Sequence, residues 1–261
     1  MDNENINLND NAKDKLDIKI YILPNLLTTF NLFFGFFSIL KTVEGQFVTS
    51  AYCIIAAAVF DLLDGRVARM TNSTSKFGAE YDSLNDLISF GLAPALLMYY
   101  MTLNDLGRIG WVAAFLYVAC GALRLARFNV QKEILDRAYF QGLPIPMSAG
   151  IIASAVLAFH ELNFTTKSSF LLLSMVLLLA FVMVSDFNYR SFKDVDFKKQ
   201  LPFTFLVAGV LVFTIVALNP GIMFFVLFMT YATLGAVIGF FKKGRYIKRK
   251  LINRKQSHVS K

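Results

Sequence analysis

Long apolar blocks separated by short polar ones run through most of this chain. A membrane-crossing helix needs about 20 largely apolar residues, and eight blocks fit that description: 21–40, 47–69, 79–101, 109–128, 144–160, 168–187, 202–218 and 221–241. The third is the least hydrophobic, and the second and third carry carboxylates. Pro24, Pro202 and Pro220 stand near the starts of blocks, where a missing N–H does little harm. Glycine, proline and polar residues mark the turns. The pattern predicts an all-α, polytopic integral membrane protein of about eight transmembrane helices. Residues 1–15 are rich in Asn, Asp and Lys and predict a disordered polar leader. Residues 16–241 form the expected membrane-embedded domain, and 242–261 a basic tail. The stretch Lys13–Ile20 reads equally as an interfacial amphipathic lead-in or as plain polar leader.

Composition agrees: 56% of residues are hydrophobic and only 17% charged, which excludes an ordinary soluble domain. The start lacks the pattern of a short basic region, an apolar region and a small-residue cleavage site, so no cleaved signal peptide is expected. Basic residues set the orientation. With the amino terminus inside, 23 of the 26 Lys and Arg residues fall on inside segments. Only Lys41, Arg108 and Lys167 fall outside. This asymmetry predicts both termini in the cytoplasm and a cell-membrane location. The net charge of +8 thus belongs mainly to the cytoplasmic face. A basic tail following a membrane span fits anionic lipid headgroups better than nucleic acid. Cys53 and Cys120 lie in apolar blocks and read as packing residues, and His160 and His258 are isolated and receive no role.

The chemistry concentrates in 26 residues. Asp61 and Asp64 are three apart, and Asp82 and Asp86 are four apart, so on helices each pair faces one way. The second block ends inside and the third begins inside, joined by the short polar segment 70–77. Antiparallel neighbours so joined bring all four carboxylates to one point at the cytoplasmic boundary. Four like charges in a half-dry site repel one another, and a cation removes the repulsion. All-oxygen ligation without a nearby His or Cys favours Mg2+ or Mn2+ over zinc. Four carboxylates suit two such ions, with phosphate oxygens completing their shells. Gly65 and Ala68 are small enough for a ligand to approach the helix, Arg66 and Arg69 can meet phosphates, and Gly78 allows close packing where the third helix begins. Taken singly, an Asp is as readily a helix cap, an Arg a snorkelling anchor and a Gly a packing residue.

Together these residues spell D-x2-D-G-x2-A-R-x8-G-x3-D-x3-D over Asp61 to Asp86, which resembles without departure the signature of the CDP-alcohol phosphatidyltransferase superfamily. Four further segments resemble the serine-using branch. They are Pro24-Asn25-Leu26-Leu27-Thr28, Glu80–Asp86 with Ser89-Phe90-Gly91 and Pro94 after it, Leu123-Arg124 to Arg127-Phe128-Asn129, and Phe140 to Gly142 with Pro144 and Pro146. Members of that branch often have a small residue where Asn85 stands.

The resemblance implies a six-helix membrane core, often dimeric, to which the branch can add two helices. It implies two divalent cations, Mg2+ or Mn2+, held by Asp61, Asp64, Asp82 and Asp86, with Asp86 also the general base. It implies a CDP-diacylglycerol site shaped by Asp61, Gly65, Ala68, Arg69 and Gly78, and by Asn25 and Thr28, which cap a helix equally well. The acceptor would be L-serine, its carboxylate met by Arg124, Arg127 and Asn129. The two arginines read otherwise as positive-inside anchors. Competing expectations are a sister enzyme using glycerol phosphate or inositol, an ether-lipid donor, a membrane prenyltransferase, and a cation-coupled transporter. The last would place its acids nearer the midplane, in a repeated half.

Overall fold

The computed structural model describes residues 3–71, 73, 75–131, 139–162, 169–185, 188–190 and 219–235. The expected span 202–218, the eighth span beyond Gly235 and the basic tail lie outside the described residues.

Helix α1 covers Asn3–Val43 and α2 covers Phe47–Met70. The turn between them uses Gly45 at φ 77°, a left-handed conformation that glycine adopts without a Cβ clash. The helical backbone of α1 reaches back through the leader expected to be irregular; no Gly or Pro precedes Pro24 to break it. The two helices pack along each other. Their contact is polar near the turn, where Ser50 Oγ lies 2.8 Å from Ser38 Oγ and 2.7 Å from Thr42 Oγ1. All three residues are fully buried. Hydroxyl pairs of this kind join helices where lipid supplies no hydrophobic drive.

The third expected span is not one regular helix. It runs as α3 (Lys76–Asp86), a π-helical turn over Leu87–Leu92 and α4 (Ala93–Met101). Pro94, near the start of α4, cannot donate to the carbonyl of Phe90 four residues earlier. The Tyr117 hydroxyl donates to that carbonyl instead, at 3.4 Å from the fully buried ring of the next helix. That helix, α5, covers Arg108–Gln131.

Helix α6 (Ile145–Glu161) is the centre of the bundle, with an unbroken buried run from Ser148 to Ala158. A helix that is apolar and small-residued all round belongs inside, and α6 packs on α2 and the π turn. Helix α7 (Ser169–Val184) lies against α5. Helix α8 (Pro220–Gly235) starts at the end of α6, where the Glu161 carboxylate accepts from Gly221 N at 3.0 Å and Ile222 N at 3.3 Å. Among the described residues, three helical stretches are long and apolar enough to cross a membrane: Leu23–Val43, Phe47–Met70 and Arg108–Val130. They turn large apolar side chains outward, including Phe33 and Phe36 of α1, Leu62 of α2, and Trp111 and Phe115 of α5.

Among the described residues, one short strand pair interrupts the helices. Tyr139–Gln141 (β1) pairs antiparallel with Asn188–Arg190 (β2), with Phe140 opposite Tyr189. It ends at Gly142 (φ 79°), where any Cβ would collide with the carbonyl of Met183. The close approach lets Leu143 N donate to Val182 O at 3.2 Å, while Arg127 Nη1 donates to Val184 O at 3.2 Å. Two terminal carbonyls of α7 are capped in this way.

Candidate functional site

The site forms where α2 ends and α3 begins. The turn between them is fixed by backbone bonds from Thr71 N to Val67 O (2.9 Å) and from Ser73 N to Ala68 O (3.0 Å). Ser75 then caps α3, its hydroxyl accepting from Gly78 N at 2.9 Å. Helix α2 therefore ends and α3 restarts within a few residues, and their carboxylates face each other. Asp61, Asp64 and Asp82 each offer an oxygen within 4.8 Å of the others. Asp64 is buried, and its Oδ2 has no hydrogen-bond partner among the described residues. Thr28 of α1 lies beside it, its own hydroxyl donating to Pro24 O at 3.0 Å.

Asp86 stands outside this trio but within electrostatic reach of all three. It is buried, and its Oδ1 accepts from Asn31 Nδ2 of α1 at 3.2 Å. Arg124 comes from α5 and is also buried, beside Asp86 and Asp61. Its Nε has no hydrogen-bond partner among the described residues, and its guanidinium lies 5.5 Å from the ring centre of Phe128. Four helices thus converge on one spot, and the only buried cation among the described residues sits with the acids.

The other expected site residues separate into two groups. Gly65 borders open space: a Cβ there would meet nothing within 4 Å. Ala68 is half-buried and Arg69 exposed on the same last turns of α2. Gly78, by contrast, is a packing position. A Cβ would lie 3.1 Å from Ser75 Oγ and 3.3 Å from Asn25 Oδ1, so glycine lets the start of α3 approach α1. Of the three residues expected at the serine carboxylate, Arg124 lies beside Asp86 and Asp61. Arg127 reaches the end of α7, and the Asn129 amide donates to Ser83 Oγ (3.0 Å) and Glu80 Oε2 (3.3 Å), tying α5 to α3.

Sequence reasoning missed Asn31. The signal was its place on a buried stripe of small and polar residues in an apolar helix, Thr28, Asn31, Gly35, Ser38 and Thr42, spaced by threes and fours.

Carboxylates of α2 and α3 and the buried guanidinium of α5 thus meet within a bundle whose long apolar helices suit a membrane. A profile described as CDP-alcohol phosphatidyltransferase matches residues 21–187. A CDP-diacylglycerol–serine O-phosphatidyltransferase of Helicobacter pylori is 42% identical over 197 residues, covering 74% of this chain and 82% of the relative. One of the same name from Mycobacterium leprae is 32% identical over 222 residues, 82% of this chain and 73% of the relative. An archaetidylserine synthase of Methanothermobacter thermautotrophicus is 37% identical over 180 residues, 67% of this chain and 72% of the relative. The chain belongs to the CDP-alcohol phosphatidyltransferase family and is a transferase.

Proposed function

We propose that this chain transfers the phosphatidyl group of CDP-diacylglycerol to the hydroxyl of L-serine and releases CMP, at the cytoplasmic face of the cell membrane. The observation that carries the reading is the trio Asp61, Asp64 and Asp82 with Asp86 and Arg124 beside it. The relatives' names supply the acceptor. They share serine and differ in the lipid they print, phosphatidyl or archaetidyl.

Divalent cations fit these residues. The donor set is all carboxylate oxygen, and a buried Asp64 oxygen without a hydrogen-bond partner asks for one. Asp61, Asp64, Asp82 and one oxygen of Asp86 would hold two ions, Mg2+ or Mn2+. Bound there, they would neutralise the pyrophosphate and the departing CMP.

The chain's own residues do the rest. Open space beside Gly65 receives the nucleotide, flanked by Ala68 and Arg69, with Thr28 and Asn25 on the facing helix. The outward apolar faces of the long helices keep the acyl chains in lipid. Arg124 meets the serine carboxylate, its guanidinium already desolvated and oriented. The serine oxygen attacks the phosphorus that carries the diacylglycerol. Its proton passes to Asp86, and the bond from that phosphorus to the bridging pyrophosphate oxygen breaks, with the electron pair leaving on CMP.

The test is CMP release by purified protein in detergent with CDP-diacylglycerol and Mn2+ or Mg2+. L-serine, glycerol 3-phosphate, myo-inositol and no acceptor are compared. Release that depends on serine and stops with a chelator and in Asp86→Asn is the expected result. Release with another acceptor rejects serine and keeps the family.

A further inference from the structure

Asn31 stands on α1, a helix that carries none of the four site carboxylates, yet it bonds directly to one of them. It is 0% exposed, and its amide nitrogen donates to Asp86 Oδ1 at 3.2 Å. Its main-chain carbonyl accepts from Ser89 Oγ at 3.0 Å. One turn earlier, the Thr28 carbonyl accepts from Asn85 Nδ2 at 3.2 Å. One turn later, Gly35 presses the α1 backbone against Ser89, so closely that a Cβ would strike the Ser89 side chain and backbone. Residues 28, 31 and 35 therefore meet 85, 86 and 89 in rising order. The two helices run parallel, and their register is fixed on both sides of Asp86.

The Asn31 amide looks expensive where it is. Its Oδ1 is buried with no hydrogen-bond partner among the described residues. A buried polar atom left unpaired is unfavourable, and an apolar side chain of similar size would avoid it. What asparagine adds is a donor aimed at one oxygen of Asp86. A carboxylate accepts at both oxygens, and holding one fixes the direction of the other.

We propose that Asn31 is a positioning residue for Asp86. It fixes Oδ1 so that Oδ2 faces the acceptor hydroxyl, and Oδ2 takes the proton as the acceptor oxygen bonds to phosphorus. The inference rests on the reading of Asp86 as general base.

The test uses the full chain in detergent with CDP-diacylglycerol, L-serine and Mn2+, comparing Asn31→Leu, Asn31→Gln and Asn31→Asp with Asp86→Asn. Removing a partner that orients a working group costs about 10- to 100-fold in activity. Asn31→Leu should lose that much kcat, with KM for both substrates unchanged. Its Mn2+ affinity, read by electron paramagnetic resonance without substrate, should fall by much less than kcat, because Asp61, Asp64 and Asp82 still offer their oxygens to the ions. Asn31→Gln keeps the donor and should regain part of the loss. Asn31→Asp sets a second carboxylate against Asp86 and should lose more than leucine. Asn31→Ser, small and still polar, serves the same comparison if leucine gives no monodisperse protein. Unchanged kcat in the leucine or serine variant, beside an inactive Asp86→Asn, overturns the inference alone. A kcat loss matched by an equal loss of Mn2+ affinity also overturns it, because the residue would then be shaping the whole cluster. An active Asp86→Asn overturns the base assignment and the inference with it.

Discussion

At the scale of single residues, two glycines of the same signature have opposite work. Gly65 borders open space, so Gly65→Ala costs nothing in packing and gains helix propensity of about 1 kcal/mol. Its thermal stability in detergent should hold or rise while KM for the CDP-lipid increases. Gly78 is pressed between Ser75 and Asn25, so Gly78→Val should lower the unfolding temperature before any effect on binding is visible. Thermal unfolding with and without CDP separates the two. Asp61→Asn should leave the protein folded and cut CMP release by at least about a hundredfold, the scale of losing a charge from an electrostatically organised site. Arg124→Leu should raise KM for serine far more than KM for CDP-diacylglycerol, whereas Arg127→Leu should act on stability through the lost cap on Val184. The four carboxylates were legible in the sequence because each pair lies one turn apart on its own helix and a short polar segment joins the two helices. Asn31 was not, because its partner lies 55 positions along the chain and an Asn in an apolar helix has no chemistry of its own.

At the scale of elements, apolar blocks located the helices well, and local polar contacts refined them. The ends of α2, α5 and α6 fall close to the expected positions because caps and turns are written in neighbouring residues. The π turn at Leu87–Leu92 was out of reach of periodicity. Pro94, four residues after Phe90, has no N–H to give its carbonyl, and a tyrosine on another helix donates to that carbonyl. Tyr117→Phe should therefore cost about 1 kcal/mol, the typical net worth of a hydrogen bond. It should also loosen amide exchange around Phe90, readable by hydrogen–deuterium exchange. Gly35→Ala should act nearby but differently. The added methyl drives α1 off Ser89 and with it the Asn31 contact, so kcat should fall even where the protein remains folded.

At the scale of the whole molecule, the segregation of α6 from the outer helices is the feature hydropathy could not rank. All the spans are apolar, and hydropathy does not distinguish lipid from protein as the neighbour. What marks α6 as central is its run of small residues, Ala149, Gly150, Ala153, Ser154 and Ala155, which lets helices close around it. The outward position of Trp111 on α5 gives a direct check. Brominated lipids should quench the fluorescence of this single tryptophan strongly in a bilayer. Weak quenching would mean that protein covers that face, as in a close homodimer.

The placement of Arg124 also bears on how the chain is made. Every carboxylate of the site has been synthesised by residue 86, but the buried guanidinium that lies among them arrives only with α5. During synthesis the half-built bundle holds acids in its interior without that counter-charge. Among chains truncated and released after Gln131, those carrying Arg124→Leu should be degraded faster by cellular proteases than those that keep Arg124. The counter-charge should therefore begin to protect the acids as soon as the fifth helix is present.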